Sequence, residues 1–229
     1  MHVPDGFLDA PTSVGTAVVS AGMVAACLVR SARHELTDRS APLAGLVAVF
    51  VFAAQMVTFP IGAGTSGHLL GGVLAAVLVG PATATLCLTV VVTVQALLFA
   101  DGGVSALGTN VLLMGVVAVW VGYGAFRLAL LVLPRRLSSV SVAAGIGAFV
   151  SVPAAALAFV GLYALGGAAP IPLAQLAAFM TGWHVLIGLG EAAITVLAVS
   201  TVVAARPDLV HGARGRLPAL ELRTREPVA

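Results

Sequence analysis

Long apolar runs decide what this chain can become. Thr12 to His34, Pro42 to Phe59, Pro81 to Phe99, Ser105 to Leu133, Ser138 to Leu165 and Leu173 to Ala205 carry few charges or none. Most reach the ~18–20 residues that take a helix across a bilayer, and none alternates apolar with polar residues as a membrane-barrel strand does. Only 9% of the 229 residues are charged and the mean hydropathy is +1.10, against roughly 25% charged in an ordinary soluble protein. Backbone surrounded by lipid has to satisfy its own hydrogen bonds. The expected fold is therefore all-α, a polytopic membrane bundle, with one membrane domain over residues 1–205 and a polar, partly disordered tail over residues 206–229.

A seventh, shorter helix is expected between the second and third of those runs. Pro60-Ile61-Gly62-Ala63-Gly64 breaks the chain, and the apolar stretch Gly67 to Val79 is only ~20 Å long as a helix, short of the ~30 Å hydrocarbon core. A short helix beside a glycine-rich break reads as a turn dipping into the bilayer, where it has to line a protein-enclosed cavity. Seven crossings put the termini on opposite sides. All eleven basic residues are Arg, and ten of them lie in the first helical loop, the loop around Arg135 and Arg136, or the tail; Arg127 lies near the same end of its helix. The positive-inside rule then predicts a multi-pass protein of the inner (cytoplasmic) membrane with Met1 outside and the tail in the cytoplasm.

The complete lack of Lys excludes a phosphate-binding loop of the GxxxxGK[ST] kind, so any ATP hydrolysis belongs to other chains. Cys27 and Cys87 lie within apolar runs and read as packing residues. The first residues lack the basic region of a cleaved signal, Asp5 and Asp9 standing in its place. With the bulky His2 in second position, Met1 is expected to remain as the mature amino terminus.

A Met1-His2 start carries three nitrogens able to grip one cation: the α-amine, the residue 2 amide nitrogen once deprotonated, and the His2 ring. The first two close a five-membered ring on an ion, the amide and Nδ1 a six-membered one. His68, in the glycine-flanked stretch Gly64-Thr65-Ser66-Gly67-His68-Leu69-Leu70-Gly71-Gly72, is a candidate fourth nitrogen. Four nitrogens in a plane suit Ni(II), Cu(II) or Co(II) better than Mg(II) or Ca(II). His2, His68 and the turn from Asp101 to Asn110 are all expected on the outer side. Thr65 and Ser66 are then either caps of the third helix or groups that fix the His68 ring. Gly62, Gly64 and Gly67 are expected to admit the amino-terminal segment closely. Asn110 is expected to orient that segment by a hydrogen bond, and Asp101 reads as a turn residue rather than a ligand. His184 and Glu191, seven apart on one helix face, form either a polar pair inside the bundle or a group for metal release or partner coupling. Glu191 is expected nearer the cytoplasmic half, well below the metal site. Ser13, Ala17, Ala21 and Ala25 form a small-residue stripe for close helix approach, in this bundle or against a partner.

Three stretches together resemble a known family, the cobalt and nickel substrate-capture (S) components of energy-coupling-factor (ECF) transporters, called CbiM/NikM. They are Met1-His2-Val3 through Gly6-Phe7-Leu8; Gly64 to Gly72; and Asp101-Gly102-Gly103 with Leu107-Gly108-Thr109-Asn110 and Met114-Gly115. His184 to Glu191 adds a weaker match. The resemblance implies a seven-helix substrate-binding subunit, not an enzyme, whose amino-terminal segment enters the bundle. It implies an ion held by the Met1 amine, His2 backbone and ring nitrogens, and His68, with no permanently bound cofactor. Cobalt uptake would supply cobalamin synthesis; a nickel-specific member is the alternative. Implied partners are a membrane coupling (T) protein, ATP-binding subunits and a small additional membrane subunit, in a lipid bilayer and with no nucleic acid. Pro4-Asp5 departs from the Met-Glu common in the family, and any small subunit is expected to be separate. A membrane metalloenzyme is the rival of a different class, but the sequence has no HExxH motif and no nucleophile-plus-base arrangement.

Overall fold

The structure, a computed structural model, describes residues 2–38, 40–62 and 65–217. Among them seven helices form an all-α bundle: α1 (Ala10–His34), α2 (Ala41–Gln55), α3 (Gly72–Val79), α4 (Pro81–Leu98), α5 (Leu107–Val132), α6 (Ser138–Gly166) and α7 (Leu173–Ala205). Five of these are long and apolar enough to cross a membrane; α2 and α3 are shorter. Between α2 and α3 lies a small antiparallel hairpin, β1 (Phe59–Gly62) with β2 (Thr65–Gly67).

The core is built around α3, which is buried along its whole length. It is eight residues long, only ~12 Å, and shorter than the expected run from Gly67. Its start is fixed by Gly71, which adopts a left-handed φ of 74°, and by long-range bonds to residue 70. Those bonds keep residues 68–70 out of the helix. The second helix likewise stops at Gln55 rather than Phe59: Pro60 keeps the preceding residue out of the helical region, and Phe59 joins the hairpin.

α1 lies at the periphery and is fastened by hydroxyls rather than by apolar packing. Thr16 bonds Thr109 at 2.7 Å, Ser20 donates to the Gly108 carbonyl at 2.6 Å, and Ser31 bonds Thr83 at 2.7 Å. Such contacts act as glue where lipid removes the hydrophobic drive between helices. The small-residue stripe is exposed at Ala17, Ala21 and Ala25, and of these Ala17 also backs onto Gly108, where any side chain would collide with it. Within α5, residues Val111–Val117 form a π-helical stretch, which no sequence pattern announces. α6 and α7 make the most extensive helix pair.

The two ends of the bundle differ in character. At one end the amino-terminal segment meets the α4–α5 loop and the end of α6. At the other, Glu35 accepts hydrogen bonds from Ala82 N, Thr83 N and Thr83 Oγ1 at the start of α4. Residues 207–216, the first part of the expected tail, fold as two 3₁₀ turns against that second end, with Val210 and Ala213 buried. Arg216 donates to the Leu130, Leu133 and Pro134 carbonyls, covering acceptors that the end of α5 leaves open. The remainder of the tail, residues 218–229, is outside the described residues.

Candidate metal-capture site

The amino-terminal segment is threaded into the bundle, and each polar step along it is matched. Val3 N donates to Asn110 Oδ1 at 2.7 Å, and Asn110 Nδ2 donates to Val3 O at 3.1 Å, a two-point clamp from a fully buried amide. Gly103 N donates to the same carbonyl at 2.8 Å. Asp5 Oδ1 accepts from Ser105 N and Oγ at 2.8 and 2.5 Å, and these bonds lower the Asp5 carboxyl below its ordinary value. Phe7 packs on Phe159 and Tyr163. Asp9 N donates to Gly166 O at 2.7 Å, while Asp9 Oδ1 caps α1 through Thr12 N at 2.9 Å.

The glycines that admit this segment are Gly102 and Gly103, not Gly62 and Gly67. A side chain at Gly103 would collide with the Asp5 backbone nitrogen, and Gly102, at φ 95°, sits against Asn110 and His2. Gly62 and Gly67 instead face Phe179 and Ile187 of α7, and Gly64 lies outside the described residues. Met1 does too.

His2 is buried. Its Nε2 lies 3.1 Å from Gln95 Oε1 and its Nδ1 3.1 Å from Asp101 Oδ1, the latter poorly aligned as a hydrogen bond. A neutral imidazole carries one N–H. Donated to Gln95, it leaves the Nδ1 lone pair beside the Asp101 carboxylate, a suitable place for a cation. The Asp101 carboxyl is ionised at neutral pH, as an ordinary carboxyl is. Asp101 is thus a turn residue that also faces the site.

His68 is fully buried and stacked on His2, with ring centroids 4.4 Å apart and planes 22° from parallel. Its Nδ1 is 2.7 Å from the Leu69 carbonyl. A carbonyl only accepts, so Nδ1 carries the proton and Nε2 the lone pair. That Nε2 has no hydrogen-bond partner among the described residues. A metal–imidazole bond is about 2 Å and lies in the ring plane, so rings stacked in this way have to splay for one ion to bind both. A cavity of about 480 Å³, lined by His2, Asp101, Ser66 and Thr58 among others, opens beside His2.

The segment after His68 is gripped by side chains from two helices. Glu191 of α7 accepts from Leu70 N at 2.6 Å and Gly71 N at 2.9 Å, and Gln55 of α2 donates to Leu70 O at 2.7 Å. Glu191 therefore acts two and three residues beyond His68, not far below it as expected. It is not bonded to His184, whose Nδ1 donates to Met180 O at 2.7 Å instead. Thr65 and Ser66 belong to β2, and Gly71 precedes α3, so neither hydroxyl residue caps that helix.

Gln55 and Gln95 escaped the sequence reading. The available signal was their presence: a buried amide within an apolar helix costs free energy unless it has a partner. Among the described residues no three His, Cys, Asp or Glu side chains converge as a ligand cluster. A dication here would take further donors from the backbone or the amino terminus.

Residues 2–209 match the family model described as the cobalt uptake substrate-specific transmembrane region. A Haloquadratum walsbyi protein named as a metal transport protein is 42% identical over 210 residues, 92% of this chain and 93% of that protein. One from Archaeoglobus fulgidus, named as a fused nickel transport protein, is 39% identical over 218 residues, 92% of this chain and 68% of that protein. The crystal structure of a truncated transition metal transporter superposes with a TM-score of 0.83 at 31% identity, covering 90% of this chain and 99% of that one.

Proposed function

The chain belongs to the CbiM family of cobalt-uptake transmembrane proteins, and from that membership we propose that it is the ion-capturing subunit of an ECF-type, ATP-dependent importer of Co(II) or Ni(II). The observation that carries this reading is the stacked pair His2 and His68 at the end of an inserted amino-terminal segment. Each ring has one nitrogen engaged by protein and a lone pair available on the other. The Met1 amine and the His2 amide nitrogen complete a four-nitrogen set around one ion, a donor type that suits Co(II) and Ni(II).

Capture takes place from outside. The Arg-rich end carrying Arg30, Arg135, Arg136 and Arg216 faces the cytoplasm by the positive-inside rule, which puts His2, Asp101 and the cavity on the external face. Asp101 draws a cation toward the cavity and stands beside it once bound. Asn110, Gly102 and Gly103 hold the terminal segment in place. Glu191 and Gln55 hold the backbone that presents His68.

ATP is hydrolysed by separate subunits, in keeping with the absence of a lysine-bearing phosphate loop. A membrane coupling protein links them to this chain, and the imported ion supplies cobalamin synthesis when it is cobalt. The test is to lengthen the amino terminus by one residue in a protein that otherwise begins Met1-His2. The extra residue removes the amine from chelating distance, so ion content after purification in Co(II) or Ni(II) falls to background. Undiminished ion content in the lengthened protein overturns the reading.

A further inference from the structure

His184 is the one fully buried imidazole among the described residues that the capture set leaves out. Its Nδ1 proton is spent on the Met180 carbonyl, so Nε2 carries a lone pair, and that nitrogen is without a hydrogen-bond partner among the described residues. An orphaned buried polar atom costs roughly 1–3 kcal/mol, and a native protein rarely keeps one without a reason. His68 presents the same pattern: Nδ1 on a carbonyl at the same 2.7 Å, Nε2 buried and unpaired.

The two rings are on surfaces that pack together. The buried stripe of α7 runs through Met180, His184, Ile187 and Glu191. Around His184 this helix meets the His68 segment repeatedly. Phe179 abuts Gly62, Ile187 abuts Gly67, and Glu191 bonds Leu70 and Gly71. Residue 184 lies about one turn from Ile187 and two from Glu191 on the same buried face of α7. The His184 ring therefore faces the segment that carries His68.

We propose that the Nε2 atoms of His68 and His184 form an inner two-nitrogen position for the transported dication, adjoining the outer position built on His2. His68 is common to both positions, so an ion passes from one to the other without leaving nitrogen coordination. The inference rests on the proposed capture of Co(II) or Ni(II) at His68, but not on the amino terminus.

The experiment uses Co(II) alone as probe, read by equilibrium binding and by the visible absorption of the bound ion, in the full chain with and without one extra residue before Met1. The lengthened protein is expected to lose tight binding and to keep a weaker Co(II) site with its own spectrum. His184→Gln in that lengthened protein, which preserves a donor toward Met180 O, is expected to lower the remaining affinity at least about tenfold, the smaller end of what even outer partners of a metal site cost. In the native-start protein the same substitution is expected to change the Co(II) spectrum and speed ion loss. Where His184→Gln does not fold, judged by circular dichroism, His184→Phe supplies the comparison. Absence of any Co(II) site in the lengthened protein, or identical affinity and spectrum with and without His184, overturns the inner position. Equally tight binding with and without the extra residue would instead overturn amino-terminal capture.

Discussion

Outside the proposed ligand set, Glu191 is the most consequential single side chain. Its buried carboxylate accepts two backbone N–H groups. Glu191→Leu strands both donors, each worth about 1–3 kcal/mol, and frees the segment bearing His68. The expected result is a lower melting temperature in detergent, matching a loss of about 2 kcal/mol or more, together with weakened Co(II) binding. Glu191→Gln keeps one good acceptor and is expected to fall between the two proteins in both measurements. Equal melting temperature and equal binding for all three proteins would mean that Glu191 holds nothing in place. His2 and His68 could be singled out from the sequence because their chemistry is local: a chelating start and a glycine-flanked ring. Glu191 and His184 stood out as ionisable groups within an apolar run, but their partners could not be read. Glu191 bonds residues 120 and 121 positions away, and nothing in the intervening sequence encodes that meeting.

At the scale of elements, the amino-terminal segment behaves as a strap laid into a fitted groove. Gly103 is the tightest point, where a methyl group would strike the backbone of Asp5. Overpacking of this kind typically costs 1–3 kcal/mol, and the easier response is for the strap to lift rather than for the bundle to unfold. Gly103→Ala is therefore expected to leave helix content and melting nearly unchanged while lowering Co(II) affinity at least about tenfold, an effect of 1.4 kcal/mol or more. Unchanged affinity would show that the strap's seat is irrelevant to capture. The helices themselves were legible, since long apolar runs bounded by Pro, Gly and Arg leave little choice of structure. The hairpin, the late start of α3 and the π-helical stretch in α5 were not. Each is decided by tertiary bonds: Gln55 and Glu191 keep residue 70 out of the helix, and the π stretch begins directly after Asn110, whose side chain is committed to Val3.

For the whole molecule, polarity is organised end to end, and this was readable from the placement of the arginines alone. One end gathers the strap, Asp101 and the cavity; the other gathers Glu35, the basic loops and the docked 3₁₀ turns. Protons should compete with the ion at the first end. A free α-amine has a pKa of about 7.7–8.0 and binds metal only when deprotonated. Apparent Co(II) affinity is therefore expected to rise with pH throughout, and more steeply below about 8, where the amine must lose its proton as well as the His2 amide. Asp101 does not account for this slope: an ordinary carboxyl, with a pKa of about 3.9, is ionised across the whole interval. Affinity independent of pH between 6 and 8 would remove the amine from the ligand set.

The fully buried α3, with Gly212 of the docked segment seated against Val77 and Phe126 beneath it, makes the way downward from His68 a blind alley among the described residues. For the importer proposed above, the doorway beside Asp101 would then serve for departure as well as arrival, and delivery would call for a rearrangement that turns this doorway toward the other side of the bilayer.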